Sequence, residues 1–380
     1  MKVYLDNAAT TKVDNRVLKA MLPYFIEKYG NASSLHSFGR EAKDALEQSR
    51  KKVAKLINAK PEEIVFTSGG TESNNIVIKG ALKPNKIKNI ITSPIEHHAV
   101  LYPAQYMEKQ GYNLTLIPVD KYGLIDLDKL EKSIKPGSLV SIIFANNEIG
   151  TIQNIKEIGK ICHKKGALFH TDAVQAYGKI PIDVKKMNID FLSASSHKIY
   201  GPKGVGLLYI RNGLKIESIS HGGGHEKGIR SGTENIPGIV GFAEASDICR
   251  REMKKESKQM IKLRDYLIKN ITQIEDSWLN GHPTQRLPNN ANFSFKYIEG
   301  EALVMHLDFE GIAASTGSAC STKSLEPSHV LTAIGLKPEE AHGSLRLTLG
   351  RFNTKKEIDH TCKVVPKVVE RLRKISPIKG

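Results

Sequence analysis

The feature that most constrains the fold is the alternation of short apolar runs with helix-like segments between about residues 60 and 210. The strand-like runs are EIVFTS, NIITSP, LTLIPV, LVSIIFA, ALFHTD, DFLSAS and GLLYI. The segments of helical character between them include ESNNIVIKGAL, AVLYPAQYMEKQ and NIKEIGKICHKKG. Strands separated by helices predict an α/β fold with a mostly parallel central sheet and helices on both faces.

Many of these strand-like runs end in a cluster of polar residues. The clusters are TSGGTESN, SPIEHH, ANNEIG, HTDAVQ and SSHK. In open α/β sheets, ligands bind outside the carboxyl ends of the strands. The pattern therefore predicts one crevice into which several strands direct polar side chains.

The pattern changes after about residue 235. A long, highly charged helix is predicted from about residue 236 to 276, followed by ANFSFKYI, SLRLTLGRF and a final amphipathic helix. This succession favours a smaller α+β lobe.

The formal net charge is +16, with lysines spread along the whole chain. This distribution favours a solvated lysine-rich surface, so we do not expect direct binding to nucleic acid. The alternative interpretation of the charge is attraction to an acidic protein partner or to nucleic acid. The longest apolar runs are too short to span a membrane, and the start MKVYLDNAAT has no export or transit pattern. We expect a cytoplasmic protein that does not contact membranes.

The four cysteines form no C-x-x-C pair, so we predict neither a structural metal site nor a disulfide framework. Cys162, Cys249 and Cys362 lie on helix-like stripes and are predicted to be small buried hydrophobic residues. Cys320 differs because it lies in STGSACSTKS, whose small residues predict a loop that carries a thiol.

Lys198 and Asp172 are the strongest candidates for chemistry. Lys198 lies in SASSHKIYGPKG, after a strand and before a tight turn, where a partly desolvated amine could form a Schiff base with an aldehyde. Asp172, in GALFHTDAVQ, could keep a pyridinium nitrogen protonated, which is the partner that pyridoxal phosphate needs. The alternatives are an ordinary lysine at a strand exit and a helix cap.

Other polar motifs complete the predicted site. TSGGTESNN places Gly70 and Thr71 at a helix start, where backbone N–H groups can bind a phosphate or form only a cap. In SPIEHHAV, one of the two adjacent histidines could stack on a flat ring, although both could equally lie on the surface. Asn147 could bind a substrate carboxylate or a ring oxygen, and Arg346 could bind an amino-acid carboxylate or form a structural ion pair.

Motifs follow one another along nearly the whole chain: YLDNAATT, YGNASSLHSFGREA, FTSGGTESNN, EHHAV, NNEIGTIQ, HTDAVQAYGK, SSHKIYGPKG, RSGTENIPGIVG, STGSACS, LEPSHVL and LRLTLGRF. Together they resemble the fold-type I, class V aminotransferase-like family of pyridoxal phosphate enzymes, and within it the cysteine desulfurases of the NifS and IscS type. The resemblance implies a large cofactor-binding domain over residues 14–250. It also implies a small domain of residues 1–13 and 251–380 that carries Cys320.

The resemblance also implies the role of each site residue. Lys198 would hold pyridoxal phosphate covalently, His97 would stack on its ring, Asp172 would pair with its nitrogen and Gln175 would contact its phenolic oxygen. The residues implied to hold the phosphate are Gly70, Thr71, Ser195, His197 and, from a neighbouring subunit, Thr233. The last of these implies a homodimer, and Asn147 and Arg346 would bind the substrate carboxylate.

The reaction implied is removal of sulfur from L-cysteine. Lys198 would take the Cα proton and the Cys320 thiolate would attack the substrate sulfur, leaving alanine and a persulfide on Cys320. SACSTKSLEPSHVL resembles the desulfurases that feed iron–sulfur scaffold proteins, so the expected acceptor is such a scaffold, with tRNA thiolation as an alternative. No metal site is predicted, although Cys320 could ligate a transient iron–sulfur cluster.

Two other classes of function stay open from the sequence. The chain could be another enzyme on this scaffold, such as an aminotransferase or a selenocysteine lyase, for which Cys320 is the discriminating residue. It could also be a basic sulfur-delivery adaptor or a tRNA-bound protein, for which salt-dependent RNA binding is the discriminating observation.

Overall fold

The structure is a computed structural model that describes residues 1–317 and 327–376. The described strands are β1 (Val3–Tyr4), β2 (Ile64–Thr67), β3 (Asn89–Thr92), β4 (Asn113–Leu116), β5 (Ser138–Ser141), β6 (Leu168–Asp172), β7 (Phe191–Ser195), β8 (Gly206–Ile210), β9 (Ser277–Asn280), β10 (Asn290–Phe295), β11 (Ile312–Ala313) and β12 (Ser344–Thr348). The described helices are α1 (Asn15–Met21), α2 (Pro23–Ile26), α3 (Ser37–Leu56), α4 (Gly70–Gly80), α5 (His98–Lys109), α6 (Leu127–Ser133), α7 (Ile155–Lys164), α8 (Ile236–Ile271), α9 (Gly300–Phe309), α10 (His329–Ala333), α11 (Pro338–His342) and α12 (Lys355–Ile375).

The central sheet has seven strands in the order β2-β8-β7-β6-β5-β3-β4. Each strand-like run of the sequence contributes one of them. The pairs β7-β6, β6-β5, β5-β3 and β3-β4 are parallel, whereas β8 is antiparallel to both of its neighbours. The predicted α/β fold with a mostly parallel sheet is confirmed.

Both faces of this sheet are buried, as the apolar runs predict. Along β8, Leu207 and Tyr209 belong to one apolar cluster and Leu208 and Ile210 to another. The first cluster includes residues of α3, α7 and α8, and the second includes residues of α4 and α5. Because side chains of a strand alternate between its two faces, helices cover the sheet on both sides.

A second sheet, with the order β12-β10-β9, lies in the C-terminal part of the chain. Its strands pack with α9, α12 and the end of α8 in a separate apolar cluster, which the N-terminal Val3 and Leu5 also join. β1 pairs in parallel with β11, so the N-terminal arm contacts this part of the molecule. The domain boundaries given above stay a prediction.

One element differs in length from its prediction. The long charged helix ends at Ile271, about one turn earlier than residue 276. Asp276 adopts a left-handed backbone with φ of 50°, which turns the chain into β9, where Ser277 pairs with Phe295. Pattern alone missed this end because residues 272–276, TQIED, continue the polar and apolar mixture of the helix.

The described cysteines follow their prediction in part. Cys162 and Cys249 are buried, whereas Cys362 is half-buried against the C-terminal apolar cluster. Cys320 lies outside the described residues. Within residues 1–317 and 327–376, no helix is long and apolar enough to cross a membrane.

Candidate active site

A cavity of about 370 Å³ lies where the loops after β2, β3, β5, β6 and β7 meet the N-terminal arm and β12. Most of the site residues predicted from the sequence line it, as do the arm residues Ala8 and Ala9. The predicted residues in its wall are Gly70, Thr71, His97, Asn147, Asp172, Gln175, Ser195, His197, Lys198 and Arg346. The strand-end clusters therefore meet in one crevice, as the parallel topology requires.

The turn from β2 into α4 is built to admit an anion. Gly69 has φ of 157° and ψ of −175°, a backbone conformation that is essentially restricted to glycine, and it is the N-cap of α4 without a side chain to cover the first N–H groups. A Cβ on Gly70 would lie 2.5 Å from Val174 Cγ2. The N-terminus of this 11-residue helix, with Thr71, therefore faces the cavity as a positively polarised group of donors.

Ser195 and His197 lie on the same side of the cavity as Gly70 and Thr71. His197 Nδ1 is 3.2 Å from Thr10 Oγ1. Burial, and then the cations Lys198 and Lys203, lower the pKa of His197 to about 4, so its imidazole is neutral near pH 7. Hydroxyl, imidazole and helix N–H groups form a donor set that suits a phosphate.

His97 is the N-cap of α5, and its ring faces the cavity. Its Nδ1 accepts a hydrogen bond from Ala99 N at 3.0 Å, so the proton of the neutral ring is on Nε2. Burial lowers the pKa of His97, with Asp172 opposing the shift and Lys198 adding to it. Both histidines line the cavity, but they differ in their contacts: His97 is the N-cap of α5, whereas His98 stacks on Tyr102 with ring centroids 4.6 Å apart.

Asp172 ends β6 with both carboxylate oxygens hydrogen-bonded. Oδ1 accepts from Val174 N at 3.0 Å, and Oδ2 accepts from Asn74 Nδ2 at 2.7 Å. Asn74 lies one turn into α4 and also lines the cavity. This carboxylate is held in place by two donors, which is the arrangement a partner for a ring nitrogen requires.

Lys198 follows β7 in a short 3₁₀ turn and reaches the N-terminal arm. Its Nζ donates to Ala8 O at 2.6 Å and to Ala9 O at 2.7 Å. The arm is fixed there because Thr11 N and Thr11 Oγ1 both donate to His197 O at 2.9 Å. The Lys198 amine is therefore held against the N-terminal arm in the wall of the cavity.

Arg346 lies on β12, in the wall that the C-terminal part of the chain contributes. Its Nη2 donates to Asp6 Oδ1 at 2.9 Å, and its Nη1 donates to Asn147 O at 3.1 Å and Gly317 O at 3.3 Å. The side chain is only 3% exposed. Such a buried guanidinium fork can bind a carboxylate in two-point fashion.

Sequence reasoning missed several residues that surround or line the cavity: Asn74, Glu148, Ser328 and His329. Asn74 had a usable signal, since it lies four residues after Gly70 and shares its helix face. The bond from Ser328 Oγ to Glu148 Oε2 at 2.6 Å had none, because 180 residues separate the two partners.

One predicted residue among those the structure describes is not brought to the cavity of its own chain. Thr233 is exposed in the loop before α8, away from the cavity wall of its own chain. The same loop contacts α4 through an ion pair of 3.3 Å between Arg230 and Glu72. Cys320 lies outside the described residues, so its predicted role is not addressed by this geometry.

Comparison with known proteins places the chain in a family. The family "Aminotransferase class-V" matches residues 3–361. The chain belongs to the class-V aminotransferase family. Within this family it is 54% identical over 379 residues to the cysteine desulfurase IscS of Methanosarcina thermophila, covering 99% of this chain and 94% of that protein.

Solved structures of the family agree with this membership. A NifS-like protein superposes with a TM-score of 0.92 at 41% identity, covering 98% of this chain and 100% of that chain. A structure of SspA in complex with cysteine gives a TM-score of 0.82 at 36% identity, covering 93% of this chain and 100% of that chain. This member of the class-V aminotransferase family therefore falls among its cysteine desulfurases.

Enzymes of the class-V aminotransferase family depend on pyridoxal phosphate, and the cavity can be tested against that group. The α4 N-terminus with Gly70 suits the phosphate, and the Asp172 carboxylate suits a ring nitrogen. Asn74 Oδ1, with no partner among the described residues, is a buried polar atom of the kind a ligand satisfies. The residues present therefore fit the cofactor.

Proposed function

We propose that this chain is a pyridoxal-phosphate-dependent cysteine desulfurase that converts L-cysteine to L-alanine and leaves the sulfur as a persulfide on Cys320. The observation that carries the proposal is the meeting of Lys198, Asp172 and the α4 N-terminus in one cavity. Relatives named cysteine desulfurase support it over the full length of the chain.

The residues that would hold the cofactor form two groups, one around its ring and one around its phosphate. Lys198 would bind it covalently, His97 would cover the ring, Asp172 would pair with the ring nitrogen and Gln175 would donate to the phenolic oxygen. The phosphate would be held by a set of donors at the strand ends: Gly70, Thr71, Ser195, His197 and the partner subunit's Thr233. When bound, pyridoxal phosphate supplies an electron sink for charge that develops at the substrate.

The remaining residues bind and orient L-cysteine. The buried fork of Arg346 would hold the substrate carboxylate, with the Asn147 amide beside it. Once its amine is released, Lys198 Nζ would accept the proton from the substrate Cα. The neutral ring of His97 keeps an N–H group at Nε2 and adds no second positive charge beside Lys198.

The sulfur transfer is assigned to Cys320 by resemblance, since that residue lies outside the described ones. Its thiolate would attack the substrate sulfur, forming an S–S bond while the substrate C–S bond breaks. The electron pair of that bond stays on carbon, which takes up a proton to become alanine. An iron–sulfur scaffold protein is the proposed acceptor of the persulfide sulfur, and the cytoplasm is the predicted location.

A homodimer is part of the proposal. Thr233 is exposed and could reach a neighbouring subunit. Large apolar side chains are exposed on the segment from α1 to the start of α3, among them Phe25 at 57%, Ile26 at 77% and Leu35 at 91%. An apolar surface of this kind supports association with a second copy of the chain.

The test is turnover of L-cysteine by the purified, cofactor-loaded protein with a thiol reductant. We expect alanine and sulfide in equal amounts, no turnover by Lys198→Ala, and normal turnover by the exposed control Lys186→Ala. Release of selenide from selenocysteine without turnover of L-cysteine would instead identify a selenocysteine lyase. Amino-group transfer to a keto acid that survives Cys320→Ala would identify an aminotransferase.

A further inference from the structure

Lys179 is a buried lysine beside the candidate site that the proposed chemistry does not use. It is 6% exposed and lies seven residues after the end of β6. Its Nζ donates to Gln175 Oε1 at 2.9 Å. Among the described residues, the groups whose charges act on it are Lys198, Arg346 and the thiol of Cys249, with no carboxylate among them.

Burying the charged amine of a lysine in this environment lowers the stability of the fold. Burial, followed by repulsion from Lys198, lowers the pKa of Lys179 to about 7. An apolar side chain of similar length would avoid the desolvation of the amine. A lysine at this position provides a hydrogen bond to Gln175 that an apolar side chain would not provide.

The bond from Lys179 at one end and the Ala8 carbonyl at the other select which way the Gln175 amide faces. In its protonated form the Lys179 amine can only donate, so that form selects Oε1 of the amide over Nε2. At the other end, Gln175 Nε2 donates to Ala8 O at 2.9 Å, which is the carbonyl that also accepts from Lys198 Nζ. With its oxygen turned towards Lys179, the amide presents its NH₂ group to the cavity.

We propose that Lys179 is a positioning residue that fixes the Gln175 amide with its N–H donors facing the cofactor's phenolic oxygen. This inference rests on the proposed function, because it assigns that oxygen to Gln175. A reversed amide would direct a carbonyl oxygen at the phenolic oxygen and repel it. Lys179 thus acts on the cofactor through Gln175 and without touching it.

The test is a pH titration of the absorbance of the bound cofactor, which does not depend on turnover. A donor to the phenolic oxygen favours its deprotonated form, so losing the donor moves the titration midpoint to higher pH. For Lys179→Met we expect an upward shift of about 0.5 to 1 pH unit, the effect of one hydrogen bond. The matched control Lys186→Met, on the exposed side of the same connection, should leave the midpoint unchanged.

A double-mutant cycle separates positioning from a direct charge effect. In a Gln175→Leu background there is no amide to orient, so adding Lys179→Met should produce no further shift. A shift of the same size in both backgrounds would show that Lys179 acts by its own charge and would overturn the inference. An unchanged midpoint in Lys179→Met alone would overturn it as well.

A second variant covers the case in which Lys179→Met does not accumulate as folded protein. Lys179→Gln keeps a polar group that can donate or accept, so it should give a smaller shift of the same sign, and no shift would count against the inference. These outcomes are distinct from those for the proposed function. If the protein does not turn over L-cysteine but the midpoint shifts follow the predicted double-mutant cycle, the positioning role of Lys179 stands and the proposed function fails. If the protein turns over L-cysteine but the midpoint shifts do not follow the cycle, only the role of Lys179 fails.

Discussion

At the scale of single residues, Arg346 is a buried cation whose N–H groups are only partly used by described residues of its own chain. Its fork is shared between the Asp6 carboxylate and two backbone carbonyls, and its Nε has no partner among the described residues. The planar geometry allows the guanidinium to hold Asp6 and still offer N–H groups to a ligand. A lysine at this position would offer a single ammonium group, whereas two-point binding of a carboxylate needs two N–H donors in a fixed geometry.

Arg346→Lys should therefore weaken binding of the substrate carboxylate. We expect the KM for L-cysteine to rise roughly 10- to 100-fold, the loss of one charge-assisted hydrogen bond, while the cofactor absorbance is retained. Steady-state kinetics together with an absorbance spectrum measure both quantities. The exposed Arg371→Lys is the control, and an unchanged KM in Arg346→Lys would remove Arg346 from substrate binding.

At the scale of elements, the sequence predicted the seven central strands and the cavity they border. It did so because short continuous apolar runs and strand-end polar clusters are local patterns. It could not predict Asn74 as the partner of Asp172, or Lys179 as the partner of Gln175. Asn74 and Lys179 each lie four residues after a predicted site residue, but tertiary packing decides whether that face of the helix or turn meets the cavity.

The turn between β2 and α4 offers a prediction at this scale. Gly69→Ala places a side chain where the backbone is essentially restricted to glycine, which should lower the free energy of unfolding by roughly 1 to 3 kcal/mol. It should also weaken cofactor affinity, because the strained turn can relax only by moving the α4 N-terminus. Thermal unfolding and cofactor titration measure the two effects.

Gly213→Ala is the matched control for this substitution. Gly213 also has positive φ, 89°, with open space where its Cβ would be, and it lies outside the cavity wall. We expect it to lose stability without losing cofactor affinity. Equal cofactor affinity in the two variants would mean that the turn at Gly69 does not position the phosphate donors.

At the scale of the whole molecule, the exposed apolar segment predicts association. Phe25→Asp places a charge in that surface, so it should convert a dimer into monomers, as measured by light scattering of the holoprotein. Phe309→Asp is the control, since Phe309 is 80% exposed on α9. A wild-type monomer, or a Phe25→Asp dimer of unchanged stability, would argue against an interface at this segment.

Lys179 should also leave a signature in the pH dependence of stability. Its pKa is about 7 in the folded chain, below its ordinary value of 10.5, so the folded state binds fewer protons between these values. The loss of stability that comes from burying the charged Lys179 amine is complete below about pH 7 and decreases as the pH rises towards 10.5. The stability of wild type relative to Lys179→Met should therefore increase with pH, by at most about 1.4 kcal/mol per unit.

The cycle of unfolding midpoints for wild type, Lys179→Met and Lys186→Met measures this effect between about pH 6 and pH 10. Lys198, Arg346 and Cys249 are present in all three proteins, so only the part of their titration that depends on Lys179 enters the comparison. A difference between wild type and Lys179→Met that does not vary with pH would show that Lys179 titrates at its ordinary value.

The central claim is that sulfur passes from L-cysteine to Cys320 in the cavity that holds Lys198. The most direct measurement is a single turnover with sulfur-labelled L-cysteine, followed by peptide mass analysis without reductant. We expect one labelled sulfur on the Cys320 peptide and one alanine per sulfur in wild type and Cys362→Ser, and neither product in Lys198→Ala. Alanine formed without label on Cys320, or label on Cys320 in Lys198→Ala, would contradict it.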